Sequence, residues 1–243
     1  MQKLNITIKS YMILFLIILG LFAIFTLQRY DILFQLAFAP LVTAIIDVAI
    51  NLVKIRKLVL PSSAIISGLF IGLILPPLSP VLTVALAALI AIISKHIIKF
   101  HGRHIFNPAA FGIVISGLIF GIAAAWWGTS LLVVPLGLFI VYKQRKWFLV
   151  LPFIITYYIM LILLNIQNLA TISFVDTTLL FFAFLMLLEP MTSAYTKKAV
   201  IAHGIIVAML AIIVSRFIPG IDVFLIPLLI GNIFVETLNK KLR

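Results

Sequence analysis

Ten runs of apolar residues follow one another along this chain, and the short stretches between them hold nearly all of its charge. The runs are Tyr11–Leu27, Ile32–Val53, Ser63–Leu75, Val81–Ile98, Pro108–Gly121, Thr129–Tyr142, Trp147–Ile166, Thr177–Leu188, Ala199–Ser215 and Val223–Leu238. A helix needs about 20 apolar residues to cross a hydrocarbon layer of roughly 30 Å. Within that layer every backbone polar group must be bonded internally, which leaves helices as the solution for continuous runs like these. With 65% hydrophobic residues over 243 positions, the sequence predicts an all-α polytopic membrane protein of about ten transmembrane helices. It forms one domain over residues 1–243, with no length left for a soluble one.

The basic residues give the count an internal check. If the N-terminus is cytoplasmic, sixteen of the eighteen Lys and Arg fall on the inner side, from Lys3 and Lys9 to Lys240, Lys241 and Arg243. Only Arg29 and Arg216 fall outside. A missed or invented helix would move every later loop to the other side and destroy this bias. Both termini are therefore expected in the cytoplasm, in a multi-pass protein of the cell membrane. The net charge of +12 then reflects orientation in a lipid bilayer and calls for no nucleic acid. The first run follows Lys3 and Lys9 without an A-x-A-type site, so it reads as a retained helix.

Two runs are too short to cross as straight helices, and each stops at proline. Ser63–Leu75 meets Pro76-Pro77, and Thr177–Leu188 meets Glu189-Pro190. They stand third of five and eighth of ten, so the chain reads as two inverted five-helix repeats (about 11–121 and 129–238) with broken helices meeting at the midplane.

Polar residues inside the runs mark candidate sites. Asp47 in the second run must face the bundle interior and find a partner, and Asn51 lies one turn on along the same face. With Asn232, preceded by Gly231 in the tenth run, they are the candidate ion pathway. A bonding role that ties helices together is the alternative for Asp47. The stretch from His101 to Gly112 has the chemistry of a helix start: Asn107 suits the N-cap, Pro108 the first helical position, and Ala109, Ala110 and Gly112 allow close approach. With Arg103 before it, this helix end favours an anionic group such as a phosphate. Glu189 is expected to meet the same positive end. His203 is a lone intramembrane histidine, so bis-histidine haem is not expected, and Trp126-Trp127 fits an interfacial aromatic belt. There is no cysteine, hence no thiolate-ligated cluster or disulfide, and no motif of hydrolytic chemistry or of a metal site.

Three stretches in order resemble one family. Ser67-Gly68-Leu69 running to Leu75-Pro76-Pro77, then Gly102-Arg103-His104-Ile105-Phe106-Asn107-Pro108-Ala109-Ala110-Phe111-Gly112, then Glu189-Pro190-Met191-Thr192-Ser193, are similar to the membrane subunits RnfD and NqrB. The resemblance implies a subunit of an ion-translocating electron-transport complex, with other membrane subunits as partners and flavin-mediated electron transfer coupled to Na⁺ or H⁺ movement. It also implies cofactor-binding roles for Arg103, Asn107, Pro108, Gly112, Glu189, Thr192 and Ser193. Family members attach FMN to a threonine in an S-G-A-T type motif. This chain has Ala125-Trp126-Trp127-Gly128-Thr129-Ser130 at that place, with Thr129 the nearest counterpart, and no S-G-A-T anywhere. The departure points to a non-covalent FMN or riboflavin between the Asn107 helix start and the Glu189-Pro190 turn. Two other readings stay open: a urea-channel-like solute channel built on the same inverted plan, and a structural subunit without flavin.

Overall fold

The computed structural model describes residues 7–164, 173, 175–218 and 220–242. Lys3, Ile166 and Arg243 lie outside the described residues. Ten helices occupy the predicted runs: α1 (Ile8–Leu27), α2 (Leu33–Ile55, entered through a 3₁₀ turn at Tyr30–Ile32), α3 (Ser62–Ile74), α4 (Val81–Ile97), α5 (Pro108–Phe120), α6 (Val133–Gln144), α7 (Trp147–Leu164), α8 (Thr177–Phe181), α9 (Lys197–Phe217) and α10 (Leu225–Lys241). Past Phe181, α8 widens into a π turn over Phe182–Met186, closed by Leu187 N donating to Phe182 O at 2.9 Å. A two-residue hairpin, β1 (Lys99–Phe100) with β2 (Arg103–His104), joins α4 to α5.

The chain is an all-α polytopic membrane protein. Among the described residues, four stretches are long and apolar enough to span: Ile8–Leu27, Tyr30–Ile55, Trp147–Leu164 and Lys197–Phe217. Short rods are not confined to the third and eighth places, as the sequence suggested. α5 has 13 residues and α6 has 12, so each is about 20 Å long or less. α5 is short because it starts beneath the β1–β2 hairpin, where Asn107 is buried.

Helix pairings recur five elements apart. α1 packs on α3 and α6 on α8, α2 on α4 and α7 on α9, and α4 on α5 and α9 on α10. The broken helices touch through Phe70 of α3 and Phe181 of α8, whose rings meet edge to face at 5.9 Å. Lipid offers helices no hydrophobic gain from association, so backbone approach through small residues does the work. A side chain at Gly112 would overlap the Ala87 carbonyl of α4, and one at Gly68 would overlap Pro40 Cα and Thr43 Oγ1 of α2.

Trp126 and Trp127 do not form a lipid-facing belt. They are 8% and 9% exposed and cap the carbonyl end of α3. Trp127 Nε1 donates to Gly72 O at 2.9 Å, Ala125 N donates to Ile74 O at 2.8 Å, and Gly128 N donates to Leu73 O at 3.2 Å. Trp126 Nε1 donates to Asp222 Oδ2 at 2.7 Å, and Asp222 Oδ1 caps α10 by accepting from Phe224 N and Leu225 N. A buried helix end needs such donors, because water cannot reach its last carbonyls. Trp126→Phe keeps the ring and loses one charge-assisted bond, so a cost of about 1.5–3 kcal/mol is expected. An unchanged melting midpoint in detergent would count against this cap.

Candidate functional site

The sequence-predicted helix start forms as read. Asn107 adopts extended backbone angles, its Oδ1 accepts from Ala110 N at 3.1 Å, and Pro108 occupies the first turn. What meets this positive end is Asn232 of α10: Asn107 N donates to Asn232 Oδ1 at 3.1 Å. Asn232 Nδ2 donates to Thr192 O at 3.2 Å, and Asn107 Nδ2 donates to Met186 O at 3.4 Å. One pair of buried amides thus ties α5, α10, the end of the π turn and the turn after it. Buried amides persist only when paired, which is why two asparagines face each other here.

Glu189 is not at the helix start, in contrast to the sequence expectation. Its Oε1 lies 2.7 Å from His104 Nε2, and its Oε2 accepts from Thr192 Oγ1 at 3.4 Å. Arg103 reaches across from the hairpin: Nη2 donates to Pro190 O at 2.7 Å and Ser193 O at 3.1 Å, and Nε donates to Met191 O at 3.1 Å. Its guanidinium also lies over the Tyr195 ring, 5.3 Å from the centroid. Lys146, in the bend between α6 and α7, donates to Ser193 Oγ at 2.9 Å and Ala194 O at 3.3 Å. Burial first, and then the Arg103 charge, hold the Lys146 ammonium below the usual lysine range. Arg103, Asn107, Glu189, Thr192, Ser193 and Asn232 therefore gather at one junction. Arg103→Lys removes the fork that spans three carbonyls. A loss of about 2 kcal/mol is expected, read as a lower melting midpoint and faster proteolysis of the turn at 190–195.

A cavity of about 280 Å³ opens beside this junction, lined by Arg103, His104, Thr192 and Asn232 with Phe100 and Val235 among its apolar walls. Lys240 stands at its rim over the Phe100 ring. Pro108 and Gly112 serve packing: both are buried, and Gly112 sits against α4. Thr129 lies at the other end of α5, where its Oγ1 is 3.3 Å from the Thr177 hydroxyl that donates to it.

Asp47 and Asn51 form a second centre among α2, α3 and α4. Asp47 Oδ1 accepts from Lys95 Nζ at 2.8 Å and lies 2.8 Å from His96 Nε2, while Oδ2 accepts from Asn51 Nδ2 at 3.3 Å. Lys95 Nζ also donates to Ser63 Oγ at 2.8 Å. The partner that a buried carboxylate requires is thus Lys95. Lys95 sits inside the fourth apolar run with Ile97 and Ile98 beyond it, the one signal in the sequence that it is more than an orienting charge. Asn232 is separate from this centre. Among the described residues no three His, Cys, Asp or Glu gather as metal ligands.

Residues 2–130, just over half of the chain, match the model of the NQR2, RnfD, RnfE family. The chain belongs to the NQR2, RnfD, RnfE family. It is accordingly a membrane subunit of an Rnf/Nqr-type complex, with membrane partners implied by that membership. The matched region takes in α1–α5, the Asn107 helix start and the tryptophan cap, and stops before the Glu189 turn. Comparison with curated proteins gave no match.

Proposed function

We propose that this subunit couples flavin-mediated electron transfer to Na⁺ or H⁺ movement, as two inverted halves in the cell membrane with both termini cytoplasmic. The charge bias, sixteen basic residues against two, supports the orientation. The pairings that recur five helices apart support the inverted halves. Within the family match, the observation that carries the flavin reading is the cavity beside Asn107, Asn232 and Thr192.

The residues fit a non-covalent flavin in one way and not in another. The α5 start offers no berth for a phosphate, because Asn232 Oδ1 and the Asn107 side chain already take its leading donors. The cavity lining supplies two cations for one, Arg103 and Lys240, the latter 3.6 Å from the Glu236 carboxylate that it would have to leave. At about 280 Å³ the cavity is just under the roughly 300–1,000 Å³ typical of ligand sites, which suits a ring inside with its tail and phosphate at the mouth. Thr192 and Asn232 supply polar contacts, and Phe100, Ile105 and Val235 supply apolar walls. A bound flavin would provide one- and two-electron transfer. The protein's share is to orient the ring, exclude water from it and balance charge near it.

Purified protein is expected to carry visible flavin absorbance with an unshifted protein mass, and Asn232→Leu is expected to lose the colour. A mass increase of one FMN would move the cofactor to a covalent site such as Thr129. Colourless wild-type protein that still joins its partners would leave the structural-subunit reading. Solute uptake by liposomes holding this chain alone would favour the channel.

A further inference from the structure

One face of α2 is polar along most of its length, meeting α3 at the Gln35 end and α4 at the Asp47 end. Gln35, Thr43, Asp47 and Asn51 follow at spacings of eight, four and four residues, the repeat of a single helical face. At one end, Gln35 Nε2 donates to Gly72 O at 3.0 Å and Leu75 O at 3.3 Å, and its Oε1 accepts from Ser79 N at 3.1 Å. Pro40 in mid-helix has no N–H, so the carbonyl four residues back, at Leu36, loses its helical donor. Across the seam α3 presents Ser63 and Ser67, the latter donating to Ser63 O at 3.1 Å. The seam ends at the Asp47 centre, where Lys95 and His96 of α4 meet the carboxylate.

That centre has an unusual occupant. A buried carboxylate in a membrane bundle must be neutralised at all times. Asp47 is 3% exposed, and the cation that neutralises it is the chain's own Lys95 ammonium. The ammonium sits 2.8 Å from two oxygens on different helices, Asp47 Oδ1 and Ser63 Oγ. A compact monovalent ion would bind the same pair. One carboxylate balances one positive charge, so a divalent ion would be left in excess. His96, with its Nε2 proton directed at Asp47, fixes the carboxylate without filling the place between Asp47 and Ser63.

We propose that Asp47 and Ser63 form a sodium site at the mouth of the α2–α3 seam, and that Lys95 is a tethered cation that closes it. Exchange is charge-neutral: sodium enters as the Lys95 ammonium swings to the headgroup region, and the reverse. The inference deepens the ion-transport reading and rests on it only for the ion's onward path. Its test needs neither flavin nor partner subunits, so it fails or stands separately from that reading.

Thermal melting of purified Lys95→Gln, in sodium chloride and in choline chloride of equal concentration, reads the vacated site. Sodium is expected to raise the midpoint by about 3–6 °C for each tenfold excess over Kd, while wild type, with Lys95 in place, responds far less. Lys95→Gln combined with Asp47→Asn is expected to lose the response. Equal midpoints in the two salts, a response that survives in the double variant, or one that follows pH and ignores sodium would each overturn the proposal. Should Lys95→Gln fail to fold, the wild type carries the test. Labelling of Lys95 by an amine reagent, read by peptide mass spectrometry, is expected to rise with sodium and not with choline, and labelling indifferent to sodium would refute the exchange.

Discussion

Gly68→Val is expected to leave no folded protein that survives extraction. A Cβ at Gly68 already overlaps Pro40 Cα and Thr43 Oγ1, and neither can give way. Pro40 is fixed by its ring within α2, and the Thr43 hydroxyl is held by the Ala39 and Pro40 carbonyls at 3.2 and 3.0 Å. Relief would require α3 to move off α2, opening a seam held by direct backbone approach. Overpacking costs about 1–3 kcal/mol when side chains can adjust, and more when backbone must move. Gly68→Val is thus expected to lose at least 3 kcal/mol, with Gly68→Ala intermediate. The readout is the monodisperse fraction on size exclusion beside wild type. A Gly68→Val protein that elutes and melts like wild type would show that the two helices are not locked here.

The second large effect is at Asp47. Asp47→Asn leaves the Lys95 ammonium, 15% exposed, without its counter-charge. Removing one partner of a buried pair costs about 3–5 kcal/mol, whereas replacing both by apolar groups of similar size is often neutral. Asp47→Leu with Lys95→Met should therefore melt closer to wild type than Asp47→Asn does. In the assembled complex Asp47→Asn is expected to abolish ion coupling. An Asp47→Asn protein of wild-type stability and coupling would reduce the centre to a surface contact.

Much of this was readable from residue order. The ten apolar runs are the ten helices, because runs of that length have one way to satisfy their backbone in lipid. The Asn107-Pro108 start was legible since capping is local and needs only adjacent residues. Asp47 was recognisable as a residue that needs a partner, and Asn232 as a polar group inside the tenth run, though its place is at the α5 start and not beside Asp47. What sequence order hid was which residue answers which. Lys95 is 48 positions from Asp47, and Asn232 is 125 positions from Asn107. Nothing local decides that Asn232 and not Glu189 takes the α5 start. Tryptophans near a membrane end commonly anchor in headgroups. Here the carbonyls at the α3 terminus exert the stronger pull, since Gln35 alone does not satisfy them and the 125–128 strip supplies the remaining donors.

The cap on α3 has a bearing on how the polypeptide can be divided. Apart from Gln35, the donors that close α3 come from residues 125–128, and Trp126 fastens that same strip to Asp222 near the start of α10. A chain severed at Gly121 would strand these donors on the wrong piece, and the leading fragment would carry a frayed rod until its complement arrived. Severed after Ser130, the leading fragment would bring its own closure and dock through the Trp126 indole. Split versions expressed together should accordingly reassemble from the later cut and be degraded from the earlier one, making this short strip a clasp that works beside the Asn107–Asn232 and Arg103 ties.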